Sequence, residues 1–596
     1  MKKLLFAMGT MVLACGLFFG NIPTANAAGI SMSKELKPYG HMEEKDGISY
    51  YKYDNPSVLQ LDKRPDRQSG FKISSGSIPS QYDGRYSRNT SVKNQGTTEI
   101  CWAYATMAAL ESNIITKDRA GKSLDLWEHQ LAYFTYHGAN NSGKSWYGEG
   151  DSFKSGNLAW HACGGNYLQA AATLSRGYGA IGQQNISPKA NLSAAIQTKR
   201  SYGITDMVML PDPHKTNGQT LDTTAMKQIK QSILKNGACT AQLYVDNYTV
   251  YRNYYHTIAG TANHGITVVG WDDTVPASKF GPNSPSGSGA WIVKNSWGTR
   301  AHQNGYFYVS YYSPSMAGFC SFIGDKAANI NSGSYETYQY DGVGVGDSML
   351  SSSIPVSAAN TFTARKDALV SHVGTWTGEG SQKVTIKIYV GRTTATRPSS
   401  GTTVYSATKN ISGAGYHRIP LGKTVGIPKG EKFSVVVTSK GRSRYFFPVE
   451  IKVSDTFSGA GRINLGKIAK GESYYYFNGK WHDIAKSPIL MQDYNATVTS
   501  GNALAKAFTK RAGHKSQRLT GARRKSIRRG RTVSLKIRHP RGKGRVIYRS
   551  SNSRILKVTS KGRVKGLRKG RAKVYVVALP TATHKSVKKT ITIRVR

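Results

Sequence analysis

Three residue types, far apart in the chain, could together activate a sulfur nucleophile. Cys101 follows the loop Gln95-Gly96-Thr97-Thr98-Glu99-Ile100 and opens a stretch with alanines at 105, 108 and 109 and with Leu110 and Ile114 at helical spacing. The pattern predicts a helix over 101–117 with Cys101 in its first turn. Unpaired N–H groups and the positive end of the helix dipole favour a thiolate there. Beside an imidazolium, such a thiol falls from a pKa of about 8.5 to roughly 4. That is a preference for the ion pair on the order of 6 kcal/mol. By itself, a cysteine before an Ala-rich helix reads as inert packing. His264 precedes a β-branched strand pattern over Gly265–Trp271, and Asn295 ends a short apolar run over Trp291–Lys294. In isolation these read as a core histidine and a turn residue.

In order, Gln95-Gly96 before Cys101-Trp102-Ala103, then Asn263-His264-Gly265, Lys294-Asn295-Ser296-Trp297-Gly298-Thr299 and Asn304-Gly305-Tyr306-Phe307 resemble the motifs of the papain family of cysteine peptidases. The resemblance covers roughly Ile78 to Gly324. It implies Cys101 as nucleophile, His264 as general base and acid, and Asn295 as the residue that orients the imidazole. Gln95 and the Cys101 backbone N–H would form the oxyanion hole, Trp297 would shield the His264–Asn295 hydrogen bond, and Trp102 would pack under the helix start. The implied reaction is attack of the thiolate on a peptide carbonyl, protonation of the leaving amine by His264, and hydrolysis of the acyl-enzyme.

His264 and Asn295 lie 163 and 194 residues after Cys101, beyond the about 130–150 common in the family. Polar, Gly/Ser-rich stretches at Gly138–Gly156 and Asp273–Gly289 account for the excess as surface insertions, which cost little. Where the family carries Cys-Gly-Ser before the nucleophile, this chain has Thr98-Glu99-Ile100. Cys163-Gly164-Gly165-Asn166-Tyr167 resembles the family's cleft-wall segment, so Gly164 and Gly165 are expected along the substrate cleft and Cys163 lacks its expected partner. Glu99 and Ile100 put bulk and charge beside the nucleophile. Glu99 either selects a cationic substrate side chain or is an outward-facing loop carboxylate.

The fold class expected is multidomain: a two-lobed α+β papain-like peptidase over 78–326, then an all-β sandwich, then a C-terminal immunoglobulin-like β-sandwich. Helices are predicted over Cys101–Lys117, Leu124–Tyr136 and Tyr167–Ser175, and strands over Cys239–Tyr244, Gly265–Trp271, Trp291–Lys294 and Tyr306–Tyr311. Residues 334–500 alternate in short runs between Gly/Ser/Thr turns. Tyr338-Gln339-Tyr340-Asp341, Ala359–Ala364 and Gly471-Glu472-Ser473-Tyr474 with Trp481 resemble the lectin-like domain that follows some microbial papain-like peptidases. Its aromatics serve either sandwich core or sugar stacking. After a basic linker at 501–517, residues 518–596 carry Ser526–Thr532, Tyr548–Val558 and Gly562–Ala572, which resemble a group-2 bacterial immunoglobulin-like domain.

Residues 1–27 have the basic start, apolar run and Ala25-Asn26-Ala27 of a secretory signal peptide. Val12-Leu13-Ala14-Cys15 loosely resembles a lipid-attachment site, but Phe18 and Phe19 continue the apolar run past it. Residues 28–77 are polar with little periodicity, a reduced propeptide or a spacer. No later run reaches the 18 or so apolar residues of a membrane span. Cys163, Cys239 and Cys320 allow at most one disulfide if Cys101 stays a thiol. No cysteine pair has metal-ligand spacing, and no metal or cofactor is expected.

The charge is concentrated at one end. Residues 501–596 hold 31 Lys and Arg and no Asp or Glu, which leaves +18 of the net +49 for everything before them. A face without any acid exceeds what solvation requires. The expected partners are protein or peptide substrates and a polyanion: a wall or capsule polymer first, then extracellular DNA, then an anionic membrane surface. Base-specific nucleic-acid recognition has no motif here, and a monomer is expected. The sequence thus reads as a secreted, surface-held cysteine endopeptidase. The alternative is an adhesin whose peptidase domain is degenerate, and a third reading is acyl transfer or wall-peptide cleavage by the same three residues.

Overall fold

The computed structural model describes residues 77–596 apart from 138–145, 148–152, 155–158, 193–195, 197–200, 216–219, 327–334, 345–347, 392–396, 454–461, 464–467 and a few shorter gaps. Of residues 1–76 it describes only the strands Gly40–Lys45, Ile48–Tyr53 and Leu59–Lys63. The signal peptide and its lipid-attachment alternative lie outside the described residues.

The helix Cys101–Thr116 is central to the first domain. Its alanines line more than one face: Trp102, Ala103, Ala105, Ala109, Leu110 and Ile114 are all buried. Small side chains let a strand approach closely, and Thr267 of the strand His264–Asp272 donates its hydroxyl to Ala105 O at 3.3 Å. Asn113 ties the far end down, donating to Asn236 O at 2.7 Å and accepting from Gly324 N–H at 2.9 Å. Helices Glu128–Tyr136 and Tyr167–Thr173 pack on one side. On the other, Tyr202–Met209, Ala317–Lys326, Cys239–Leu243, His264–Asp272, Ala290–Lys294 and Tyr306–Ser310 form consecutive antiparallel neighbours in one sheet.

The second predicted helix starts later than its sequence pattern, at Glu128. A buried ion cluster claims the preceding backbone: Lys93 Nζ donates to Leu126 O at 2.8 Å, and Leu126 N–H donates to Glu111 Oε1 at 2.7 Å. Lys93 also pairs with Glu111, Asp125 and Glu128 at 2.9, 2.7 and 2.6 Å. Lys93→Met would strand two buried carboxylates, so we expect a loss of about 3–5 kcal/mol, read from the denaturant midpoint. The helix Thr223–Asn236 lies within the half expected to be strand-rich. Its signals are Asp222, whose carboxylate accepts from Thr224 and Ala225 N–H at 2.9 and 3.0 Å, and the buried row Met226, Ile229 and Ile233.

The second region is all-β, and its sheet is continuous with the first. Ala414–Ile427 pairs antiparallel with Tyr202–Met209, placing His417 opposite Asp206. His417 Nδ1 meets Asp206 Oδ1 at 2.9 Å, and its Nε2 meets Gly413 O at 3.0 Å. Two pieces of the expected surface insertion also join this region: Trp146–Tyr147 pairs with Thr337 and Tyr338, and Phe153–Lys154 with Arg462–Ile463. The segment expected as propeptide or spacer contributes Leu59–Lys63, which pairs along Ser348–Ser352. Tyr338, Tyr340 and Tyr474 are core, while Trp481 is half-buried.

Residues 501–517 do not form a linker. Lys506–Arg511 is an interior strand between Tyr335–Tyr338 and Ala368–Thr377. Ala507 and Phe508 are buried, and the Lys506 ammonium is neutralised by Asp341 at 2.5 Å. Beyond it, a four-stranded and a three-stranded sheet, with the short pair Arg518–Thr520 and Arg538–Arg541 beside them, enclose an apolar core that includes Ile527, Leu556, Val564, Val574, Ile591 and Ile593.

Candidate active site

The loop before Cys101 is held by its own polar groups. Gly96 turns it with φ +60°, the Thr98 hydroxyl donates to Gln95 O at 2.7 Å, and Glu99 N–H donates to His161 O at 2.8 Å. The helix opens on Ile100 with no side-chain cap, so its first turn keeps donors that a ligand could use. Cys101 is half-buried there. Gly265 N–H, one residue past His264, donates to Cys101 Sγ at 3.3 Å. A side chain at 265 would press on the Trp102 backbone and Tyr167 Oη, each 3.1 Å from an added Cβ.

His264 begins its strand and is 6% exposed. Asn295 Oδ1 also accepts from Ser296 N–H at 2.8 Å, which identifies that atom as the amide oxygen. His264 Nε2 therefore donates to it, at 2.9 Å, and Nδ1 is left as the unprotonated nitrogen of the neutral ring. Trp297 lies over the imidazole with centroids 4.8 Å apart, shielding this bond. Burial pulls the His264 pKa down to about 4, against a smaller opposing effect of the Asn295 hydrogen bond.

His302 extends this array and was not singled out from the sequence. Asn295 Nδ2 donates to His302 Nε2 at 3.0 Å, so His302 carries its proton on Nδ1 and donates it to Arg252 O at 2.8 Å. The ring stacks on Phe307 at 4.3 Å and on Trp297 at 5.7 Å. The one sequence signal is a third polar ring between the Asn295 and Gly305 motifs. His302→Phe keeps the stack and removes the acceptor. We expect kcat/KM to fall about tenfold with KM little changed, and His302→Gln, which supplies an amide oxygen, to recover part of the loss.

Gln95 is fixed at both ends of its amide. Oε1 accepts from Ser296 Oγ at 2.6 Å, and Nε2 donates to Thr98 O at 2.7 Å. An amide nitrogen carries two protons, so one donor remains for a ligand. Gln95 N–H also donates to Ser296 O at 2.8 Å, locking the loop to the Asn295 segment.

The departures at 98–100 resolve individually. Thr98 replaces a half-cystine with a hydroxyl that closes the Gln95 turn. Among the described residues no disulfide is present, and Cys163 is buried with Sγ 3.3 Å from Ala159 O. Ile100 is fully buried, so its bulk goes into the core rather than beside the nucleophile. Glu99 is half-buried, and burial raises its carboxyl pKa. Gly164 O accepts from Tyr136 Oη, and Gly165 sits on the Trp102 ring, where an added Cβ would lie 2.4 Å from it. Among the described residues no group of three or more His, Cys, Asp or Glu could hold a metal, and no helix is long and apolar enough to cross a membrane.

A thiol at a helix start, an imidazole oriented by an amide and a fixed amide donor form an array able to carry out acyl transfer through sulfur. Residues 78–322 match the papain family of cysteine proteases, and residues 337–509 match the lectin-like domain. The senescence-specific cysteine protease SAG12 of Arabidopsis thaliana is 24% identical over 250 residues, covering 42% of this chain and 61% of that protein. Ananain of Ananas comosus is 26% identical over 254 residues, with coverages of 42% and 61%. The match thus spans about three fifths of the length of these curated relatives. Among solved structures, the clostridial cysteine protease Cwp84 after propeptide cleavage aligns with TM-score 0.55 and 23% identity, over 73% of this chain and 100% of that one. The protease and lectin-like domains of Cwp84, described as a surface layer associated protein of Clostridium difficile, align with TM-score 0.55 and 22% identity, over 75% and 93%. These two likenesses establish a shared fold.

Proposed function

We propose that this chain, a papain-family cysteine protease domain followed by a lectin-like domain, is an exported cysteine endopeptidase held at a cell surface. Cys101 is the nucleophile, His264 its proton carrier, and Asn295 the group that fixes the imidazole. Gln95 Nε2 and the Cys101 N–H receive the oxyanion. Thiolate attack forms the acyl-enzyme while His264 protonates the leaving amine, and water activated by His264 then releases the acid. The cleft wall is formed by Gly164 and Gly165, with Trp297 over the imidazole; Glu99, next to the nucleophile, is either a selector of a cationic substrate side chain or an outward-facing loop carboxylate.

One observation carries this reading. Gln95, Cys101, His264 and Asn295 are brought together by three hydrogen bonds: Ser296 Oγ to Gln95 Oε1 at 2.6 Å, His264 Nε2 to Asn295 Oδ1 at 2.9 Å, and the N–H of Gly265, the neighbour of His264, to Cys101 Sγ at 3.3 Å. An adhesin with a degenerate domain has no need of that convergence, and inward-facing Ile100 removes the strongest argument for it. The test is hydrolysis of an unfolded protein by the full chain, with loss on thiol alkylation. Intact turnover after complete alkylation of Cys101 would refute the mechanism.

Surface retention rests on the resemblance of 1–27 to a signal peptide, the description of Cwp84 as surface-layer associated, and the acid-free end of the chain. The lectin-like domain is a candidate for carbohydrate contact through half-buried Trp481. Residues 518–596 are read as an immunoglobulin-like anchor for an anionic wall polymer, and deleting 518–596, which leaves the interior strand Lys506–Arg511 in place, is expected to abolish retention on wall preparations.

A further inference from the structure

We propose that one open half of the four-stranded sheet in the C-terminal domain is a binding site for a linear polyol-phosphate polymer, an inference that rests on the anchor reading above and locates it. The sheet comprises Arg524–Ile527, Val587–Val595, Gly570–Ala578 and Val546–Ser550. Its inner face is apolar, with Ile527, Val574, Val576, Ile591 and Ile593 buried.

The outer face has two halves with different fates. At one end Ile547, Val577 and Leu579 join the buried cluster of the lectin-like domain. The polar groups there find acids on that domain. Arg549 pairs with Glu431 at 2.8 Å, Lys588 reaches Glu431 at 3.6 Å, and Ser586 donates to Asp367. This half of the face is an internal interface with compensated charge.

The other half is uncovered. Register places two cross-strand rows side by side, Arg524–Thr592–Lys573 and Ser526–Arg594–Arg571. Arg524, Lys573, Arg594 and Arg571 are all exposed, and among the described residues none of them forms an ion pair. Arg571 and Arg594 stand directly opposite each other, an arrangement that costs stability when nothing offsets it. The domain holds no acid to do so. An anionic ligand across both rows supplies the missing charge.

The composition of the patch selects the ligand. Three of the four cations are guanidinium groups, whose planar fork matches the oxygens of a phosphate. Thr592 lies within the rows, and hydroxyl donors are regular partners of phosphodiesters; the Ser526 hydroxyl beside it reaches Arg594 O at 3.4 Å, a long bond that a phosphate oxygen would replace. Same-face residues along a strand repeat at about 6.7 Å and strands lie about 4.8 Å apart, so the charges form a flat track suited to an extended chain. The aromatic ring nearest these rows, Tyr575, belongs to the covered half, where Arg549 and Lys588 lie against it at 5.7 and 4.5 Å, so the two rows themselves offer bases no platform on which to stack. A polymer read through its phosphates alone fits better than a nucleic acid.

The test uses the full chain and immobilised poly(glycerol phosphate), with binding measured from 50 to 300 mM NaCl. The variant Arg524→Gln/Arg571→Gln/Lys573→Gln/Arg594→Gln is compared with Lys557→Gln/Lys561→Gln/Lys565→Gln/Arg568→Gln, which removes the same charge from exposed positions in or beside the other sheet. We expect the first to lose at least about tenfold in affinity at 150 mM salt, with a salt slope flatter by about 3, and the second to stay within about twofold. Equal losses would overturn the face as the site while leaving the anchor reading intact. Absence of binding by the unmodified chain would overturn both. Equal or tighter binding of single-stranded DNA or polygalacturonate would overturn the choice of polymer. Should the fourfold variant fail to fold, Arg571→Gln/Arg594→Gln, which only relieves a like-charge opposition, carries the same comparison with an expected loss of about threefold.

Discussion

Cys101→Ala is expected to lower kcat/KM on an unfolded protein substrate by at least about ten-thousandfold, leaving only what substrate binding and the oxyanion donors contribute. The reason is that the neighbouring hydroxyls are committed elsewhere, Thr98 to Gln95 O and Ser296 to Gln95 Oε1, and neither has an imidazole to take its proton. The more informative companion is the pH dependence of Cys101 alkylation by iodoacetamide, on the chain with and without His264→Ala. Burial, only partly opposed by the Asn295 hydrogen bond, pulls the His264 pKa down to about 4, so near pH 7 an uncompensated imidazole is neutral. An ion pair forms only if the thiolate charge, favoured by the helix start and by the Gly265 N–H, raises the imidazole against its burial. In that case alkylation stays fast well below pH 7, because lowering the pH protonates neither partner until the pair itself breaks. In His264→Ala the rate should rise only near the ordinary thiol pKa of about 8.5. A rise confined to that range in both proteins would mean that burial wins and that the domain is inert, and the adhesin reading would replace the peptidase.

The parts of this site that were legible in the sequence are those whose chemistry constrains neighbouring residues. Cys101 needs a helix start, Gly265 must be small where the strand meets Trp102, and Gln95 must lie one loop upstream; each leaves a local pattern. His302 leaves none. It acts on Asn295 through space, and its role depends on a ring stack with Trp297 and Phe307 that only the folded turn assembles.

The same distinction explains the errors in the fold. Lys506 looked like part of a basic linker because its partner Asp341 is 165 residues away, and only pairing makes a buried ammonium tolerable. The fragments Trp146–Tyr147 and Leu59–Lys63 add to sheet edges through backbone hydrogen bonds, which select no side-chain pattern. By contrast, the Thr223–Asn236 helix carries both a cap and a spaced apolar row, local signals that are legible in the sequence although strands surround it.

Gln95→Ala should cost about 10²–10³-fold in kcat, the effect typical of removing one oxyanion donor, with a smaller change in KM. The difficulty in reading such a loss is that Gln95 also ties Ser296 and Thr98 together, so a collapsed loop would impair turnover without any oxyanion role. Alkylation separates the two. Displacement at iodoacetamide develops no oxyanion, so the Cys101 rate should remain within about threefold of the unmodified chain if the donor role is right. If the loop has merely lost its shape, the helix start and the Gly265 contact shift with it, and alkylation falls in parallel with hydrolysis. Gln95→Glu sharpens the contrast. It keeps the acceptor for Ser296 Oγ, gives up the donor to Thr98 O just as the alanine variant does, and puts a negative charge where the oxyanion forms, so hydrolysis should fall below the alanine variant. The added charge also disfavours the thiolate, which should move the alkylation profile to higher pH. A Gln95→Glu enzyme faster than Gln95→Ala would assign the residue to the loop and leave the oxyanion to the helix start alone.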